Sequence, residues 1–237
     1  MAGLGSRLSQ SGYKTPKPLV KILDKTLIEW SISSLGFNGN FIFCCKKEHL
    51  EEFNLENILR NIIPDCKIVS IDYQTQGTAQ TILEAKSLIN SDEELFLSDS
   101  DHFIKWDHQE FLKTIRPQNI DACVMVFPQK QTSISLSYVK QDSHGFVVKA
   151  AEKIPISETA ACGMHYYKKG SDFVDCAEQM IKKNIRFKNE FYVTPIYNEF
   201  VQKLKHVITF SIIKKWALGN PEEIDKFLTD SRNNEIL

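Results

Sequence analysis

The sequence predicts an α/β fold, on three observations. Short apolar runs alternate with stretches of helical periodicity through the first half of the chain, the pattern of parallel βαβ units. The residues least expected of a packed core fall on loops that follow those apolar runs. The 237 residues are 42% hydrophobic and 25% charged, enough apolar surface for one large core.

In chain order, 19–23 is a short apolar run interrupted by Lys21, and 26–35 carries Leu27, Ile28, Ile32 and Leu35 at helical spacing behind Thr26, an N-cap residue. Residues 41–45 read as a buried strand, 49–63 as a helix stopped by Pro64, and 67–71 as a strand. A helix over 77–89, a strand over 94–97, a helix over 107–115 and a strand over 122–127 follow. The second half changes character. Residues 136–140 and 146–150 flank Asp142-Ser143-His144-Gly145, a hairpin signal. A strand over 161–167, helices over 171–183 and 191–204, a strand over 207–213 and a helix over 221–228 complete the chain. Residues 233–237 read as a frayed tail.

Charge and cysteine content exclude several classes. A net charge of −1 offers no bulk attraction to nucleic acid or membrane, so any anion site is local. No apolar run reaches the roughly 18 residues of a spanning helix, and no signal peptide is evident. Six cysteines, at 44, 45, 66, 123, 162 and 176, lack C-x-x-C spacing and sit mostly in apolar runs. They read as buried thiols of a cytoplasmic protein.

The stretch with the most chemistry is the first. Ala2-Gly3-Leu4-Gly5-Ser6-Arg7-Leu8 is followed by Lys14-Thr15-Pro16-Lys17-Pro18-Leu19. Two glycines allow close backbone approach and positive φ, and such a turn aims several N–H groups at one anion. Arg7 and Lys17 add a planar fork and a point charge. A dinucleotide fingerprint fails because Leu8 stands at its third glycine, and a P-loop pattern is absent. The loop suits a nucleoside triphosphate, although a G-x-G turn with two solvated cations is the simpler alternative.

Three further segments carry candidate chemistry. Asp99-Ser100-Asp101-His102 places two carboxylates at i, i+2 after an apolar strand, a hard-oxygen set suited to Mg²⁺ shared with phosphates. An Asp turn bonding its own backbone would have the same sequence. His102 reads as a packing residue rather than a ligand. Gly77-Thr78-Ala79 opens a helix whose N–H groups favour anions or base edges, or is an ordinary helix start. Glu152-Lys153 and Glu190 read, alone, as a solvated charge pair and an acid at a helix start.

G-x-G-[ST]-R-[LF] followed by K-P-L resembles the signature of the sugar-phosphate nucleotidyltransferases, the thymidylyltransferase-like enzymes that activate sugars. The branch it is most similar to occurs among capsule and surface-polysaccharide genes. The resemblance spans residue 3 to about 227. It implies a Rossmann-like, glycosyltransferase-A type three-layer sandwich with a mixed, mainly parallel sheet. It further implies a single domain over 1–237, with a nucleotide-binding half (1–130) and an acceptor-binding half (131–237). The chain begins inside the motif, so the family's first, central strand is expected upstream of residue 1.

The same resemblance assigns roles. Arg7 and Lys17 would hold the triphosphate, Asp101 the metal, with Asp99 in support, and Ala2, Gly3, Gly5, Ser6, Gly77 and Thr78 the nucleotide. Glu152, Lys153, Gly163 and Glu190 would meet the acceptor, Lys153 at its phosphate. Asp72 falls where several members read the base with Gln. A carboxylate can accept from an exocyclic amine such as cytosine N4, which favours CTP, or GTP, which also presents amines, over UTP or dTTP. Trp216-Ala217-Leu218-Gly219-Asn220-Pro221 follows the family's closing stretch but has Ala217 where many members supply a second metal-binding Asp.

The implied activity joins a nucleoside triphosphate to a sugar 1-phosphate or similar phosphorylated acceptor and releases pyrophosphate. The alternatives are a glycosyltransferase of the same fold using Asp99-x-Asp101, and a non-catalytic nucleotide- or sugar-binding partner. The sequence leaves the oligomeric state open, a homo-oligomer included.

Overall fold

The computed structural model describes residues 1, 12, 15–116, 119–130 and 133–232. Ala2, Gly3, Gly5, Ser6 and Arg7 therefore lie outside the described residues, as does the tail over 233–237. The strands are β1 (Lys21–Ile22), β2 (Lys25–Thr26), β3 (Ile42–Lys46), β4 (Lys67–Ile71), β5 (Leu95–Ser98), β6 (His102–Lys105), β7 (Ala122–Pro128), β8 (Ser137–Gln141), β9 (Val147–Glu152), β10 (Thr159–Tyr167), β11 (Val207–Ser211) and β12 (Lys214–Ala217). The chain forms two compact units interleaved along the sequence. The first is Met1–Gln74, Asp99–His108 and Ile213–Leu237, and the second is Thr75–Ser98 and Gln109–Ile212.

In the first unit β3 and β4 pair in parallel, Ile42 opposite Lys67 and Lys46 opposite Ile71. β6 and β12 pair antiparallel, with Ala217 opposite His102 and Trp216 opposite Phe103. The helix Leu27–Ser33 starts where the sequence places it. Thr26 accepts from the Glu29 N–H, and the Glu29 carboxylate accepts from the Thr26 N–H at 2.7 Å, a complete capping box. One face of this helix buries Leu27 and Trp30 with Val20, Ile22, Trp216, Leu218, Ile224 and Phe227. Trp30, Phe103 and Phe227 meet edge to face, with centroids 5.1–5.8 Å apart. Ile28 on the other side joins Phe43, Cys45, Leu55, Leu59 and Cys66.

The second unit holds a six-stranded sheet in the order β11-β7-β10-β8-β9, with β5 also pairing β10. The expectation of a mainly parallel sheet needs correcting here. Among the described residues only β11–β7 is parallel within this sheet, and its other pairings are antiparallel. The hairpin at 142–145 reverses β8 into β9, and β10 is flanked by strands running the opposite way. On one side of this unit Tyr167, Tyr197, Phe173 and Phe200 are fully buried, and the two tyrosine rings stack at 5.5 Å.

Helix boundaries differ from expectation at identifiable residues. The helix expected over 49–63 is two, Lys47–Glu52 and Leu55–Ile62, broken at Asn54 with φ 53°, a conformation Asn tolerates. The one expected over 191–204 is the 3₁₀ turn Thr194–Ile196 followed by Tyr197–Gln202. Pro195 has no N–H to continue a ladder. β6 and β12, four residues each, lack the length and alternation that reveal a strand locally. The six cysteines form no disulfide, and all but Cys44 are buried.

Replacing Thr26 by Ala removes a side-chain acceptor from the helix start and should cost about 1 kcal/mol. Urea unfolding followed by tryptophan fluorescence measures it. An unchanged midpoint would show that packing alone fixes this helix.

Candidate functional site

In the first unit the Asp99–His102 segment is held from three sides. The Leu218 N–H donates to the Asp101 carbonyl at 2.8 Å. The Ser31 hydroxyl donates to the His102 carbonyl at 2.8 Å and accepts from the His102 N–H at 3.2 Å. Ser31 is 4% exposed; it sits on the capped helix, so the cap and the site share one element. Phe103, next in the chain, enters the aromatic cluster. The pairing of β6 with β12 then brings the closing stretch alongside.

Lys17 reaches this segment from a 3₁₀ turn, Lys17–Leu19, with Pro16 before it and Pro18 within it. Its ammonium forms an ion pair with Asp101 Oδ2. Gly219 lies against the pair. A Cβ there would stand 3.1 Å from Lys17 Nζ and 3.5 Å from Asp101 Oδ2, so a side chain would crowd the contact. The Gly219 N–H donates to Glu223 Oε2 at 2.8 Å, and Asn220 Oδ1 accepts from the Glu223 N–H at 3.0 Å. Asn220 thus caps the helix Pro221–Arg232.

Asp99, Asp101 and His102 each offer a ligand atom within 4.8 Å of the others. His102 Nε2 is 3.4 Å from Asp101 Oδ1, and Nδ1 is 3.7 Å from Asp99 Oδ2. Burial pushes the Asp101 carboxyl up, but His102, Lys17 and Lys215 outweigh it and hold the group below the usual carboxylate range. Burial and then the charge of Asp101 push Asp99 upward. Its side chain keeps 43% exposure, so the repulsion between the two carboxylates is the firmer cause. A divalent cation relieves such repulsion, and two carboxylates are the hard donors Mg²⁺ takes. The residues present fit that ion. Asp72, at the end of β4, is exposed.

In the second unit Glu152 ends β9, and Lys153 follows with φ 54°. Lys153 Nζ lies 3.2 Å from Glu152 Oε1 and donates to the Tyr192 hydroxyl at 2.5 Å. Ser137 donates to the other Glu152 oxygen, and Tyr192 donates to Glu190 Oε2. The ammonium also sits 3.8 Å from the Tyr192 ring centre and 5.4 Å from that of Phe187, a cation–π arrangement. The structure therefore joins Glu152, Lys153 and Glu190 through residues the sequence reading did not single out: Ser137, Tyr192 and Phe187. The loop between Phe187 and Glu190 is a tight turn. The two exchange N–H···O bonds at 3.0 Å, and Lys188 and Asn189 both have positive φ, as a type I′ turn requires. Lys-Asn is an unusual pair for that turn, which hid it.

Gly77 has φ 117°, and a Cβ on it would lie 2.5 Å from the N and O of Phe191. At this helix start the Ala79 N–H donates to the Phe191 carbonyl at 3.0 Å, and the Phe191 N–H donates to Gln76 O at 2.7 Å. Arg186 completes the link, donating to Gln76 Oε1 at 2.8 Å and covering the Phe191 ring. Thr78 is exposed. Gly163 has φ 91° and lies where β10 shifts register against β7.

Gly77→Ala combines positive φ with a backbone clash, and should destabilise the protein by about 2 kcal/mol or more. An unfolding midpoint in urea equal to that of the parent would contradict the close approach.

Comparison with known proteins adds to this geometry. The sequence matches no curated protein. The structure resembles a nucleoside-diphosphate-sugar pyrophosphorylase from Vibrio cholerae RC9 at a TM-score of 0.80 and 22% identity, over 97% of this chain and 98% of that one. A UDP-glucose pyrophosphorylase complexed with UDP-glucose superposes at 0.77 and 19% identity, covering 98% and 96%. The inositol-1-phosphate CTP transferase of T. maritima does so at 0.74 and 15% identity, covering 97% and 91%. These likenesses show the Rossmann-like fold. Residues 1–220 match the Nucleotidyl transferase family, and the chain belongs to that family.

Proposed function

We propose that this protein transfers a nucleotidyl group from a nucleoside triphosphate to a phosphorylated small-molecule acceptor, of the sugar 1-phosphate kind, and releases pyrophosphate. One observation carries the reading: Lys17, from the motif at the start of the chain, stands on Asp101 in the carboxylate cluster. A cation suited to phosphate and a carboxylate suited to a metal thereby lie side by side, which supports the reading.

An oxygen of the acceptor phosphate attacks the α-phosphorus, the bond from that phosphorus to the bridging oxygen breaks, and pyrophosphate carries away the charge. The acceptor phosphate is already ionised near neutral pH, so no general base is required. Positioning and charge neutralisation are what remain for the protein. Lys17 neutralises the triphosphate and the leaving pyrophosphate, and the family resemblance gives Arg7 the same part and Gly3, Gly5 and Ser6 a part in binding the nucleotide. Asp101 would hold a divalent cation such as Mg²⁺, with Asp99 in support, and the cation when bound supplies positive charge to the phosphate oxygens. Lys153, braced by Glu152 and Tyr192, takes the acceptor phosphate, and Glu190 its hydroxyls.

Asp72 selects the base, and its carboxylate supports CTP as donor. Synthesis of surface-polysaccharide precursors in the cytoplasm is the setting the reading implies. The Asp99-x-Asp101 pair would equally serve a glycosyltransferase, but Lys17 beside it favours triphosphate chemistry.

Pyrophosphate release is the direct assay. CTP, UTP, dTTP, GTP and ATP are each incubated with Mg²⁺ and a panel of phosphorylated sugars and alcohols. The reading expects release with one nucleotide and CTP as that nucleotide. Lys17→Ala should lower kcat/KM by about 10²–10³, the scale of losing one preorganised charge-stabilising donor. Nucleotide binding without pyrophosphate release across the panel, or a Lys17→Ala rate near that of the parent, would overturn it.

A further inference from the structure

The reaction just described gives His102 no part, yet its ring lies within the carboxylate cluster. Nε2 is 3.4 Å from Asp101 Oδ1, and Nδ1 is 3.7 Å from Asp99 Oδ2, so each edge of the ring faces an acid. Adjacent ligands on a six-coordinate ion are about 3 Å apart, given metal–ligand distances near 2.1 Å. The Asp101 oxygen on the His102 side is also not the one that Lys17 holds. An ion can therefore use Oδ1 while the ammonium keeps Oδ2.

Two features keep the ring there. Its side chain is only 12% exposed. Its backbone is fastened through both N–H and C=O to Ser31, and across the strand pair it faces Ala217, whose methyl brings no donor atom. A ring placed only for packing would seldom be set with both nitrogens toward carboxylates. A metal-bound histidine commonly has a carboxylate behind its second nitrogen, which fixes the ring and makes it a better donor. Asp99 Oδ2 lies on that side of the ring, 3.7 Å from Nδ1, so a small approach would complete the bond.

We infer that His102 Nε2 is a ligand of the divalent cation together with Asp101, with Asp99 behind the ring, and that the site thereby prefers a first-row transition ion to Mg²⁺. The inference rests on the metal-dependent reading above. Its chemical basis is that Mg²⁺ gains little from replacing a water by imidazole, whereas Co²⁺ and its neighbours in the first row gain substantially.

The test uses metal ions alone on the full chain. Proton NMR of the wild-type protein with Co²⁺ should show a strongly shifted, exchangeable ring N–H resonance that disappears in D₂O. His102→Gln should lack that resonance and bind Co²⁺ at least about tenfold more weakly, with Mg²⁺ affinity changed by less than about threefold. No such resonance in Co²⁺-loaded wild type, no Co²⁺ binding, or equal losses for both ions would overturn the assignment. Absence of the resonance in the wild-type spectrum decides against the assignment even where the variant folds poorly. A positive spectrum with no pyrophosphate release would instead count against the proposed reaction alone.

Discussion

The ion pair between Lys17 and Asp101 is the constraint on which the first unit turns. Each side chain keeps only 25% exposure, so each gives up much of its hydration. A pair in that position returns little net stability, and its value lies in where it puts charge. The surrounding elements hold the two partners. Pro16 and Pro18 stiffen the turn that carries Lys17. Ser31 and Leu218 fasten the backbone on either side of the Asp101–His102 peptide. Gly219 leaves space that any side chain would fill. The capped helix Leu27–Ser33 supplies both Ser31 and the Trp30 that anchors the aromatic cluster, so the core and the charged cluster are built on one element.

The second unit arranges its charge differently. Lys153 is enclosed by the Glu152 carboxylate, the hydroxyl and ring of Tyr192 and the ring of Phe187. Such an enclosure narrows the rotamers of a long flexible side chain, reducing the ordering cost when an anion arrives. The positive φ at Lys153 and at Lys188 and Asn189 is local strain concentrated around this network, as is common near ligand-binding loops. The link from Gly77 to Phe191 ties the helix start at Thr78 to the loop that carries Glu190 and Tyr192. A shift at one of these segments would therefore be felt at the other.

Much of this was legible in the sequence because it is written locally. β3, β4, β7 and the 142–145 hairpin announce themselves by apolar runs and turn residues, and Thr26 by its cap. The two carboxylates at 99 and 101 could be singled out because they follow an apolar strand. What escaped depends on partners distant in the chain. β6 and β12 become strands only by pairing across more than a hundred residues. His102 read as packing because nothing in the local sequence shows both ring edges facing acids. Tyr192 looked like one more helix residue until Pro195 and the turn at 188–189 freed it to meet Lys153. The approach of Phe191 to the Ala79 N–H leaves no local signature beyond Gly77 itself.

The most direct measurement is a structure of the protein with a bound nucleoside triphosphate and divalent cation. The account predicts the ion on Asp101 and the Lys17 ammonium within hydrogen-bond distance of a phosphate oxygen. A nucleotide whose phosphates lie away from Lys17, with no ion at Asp101, would contradict it.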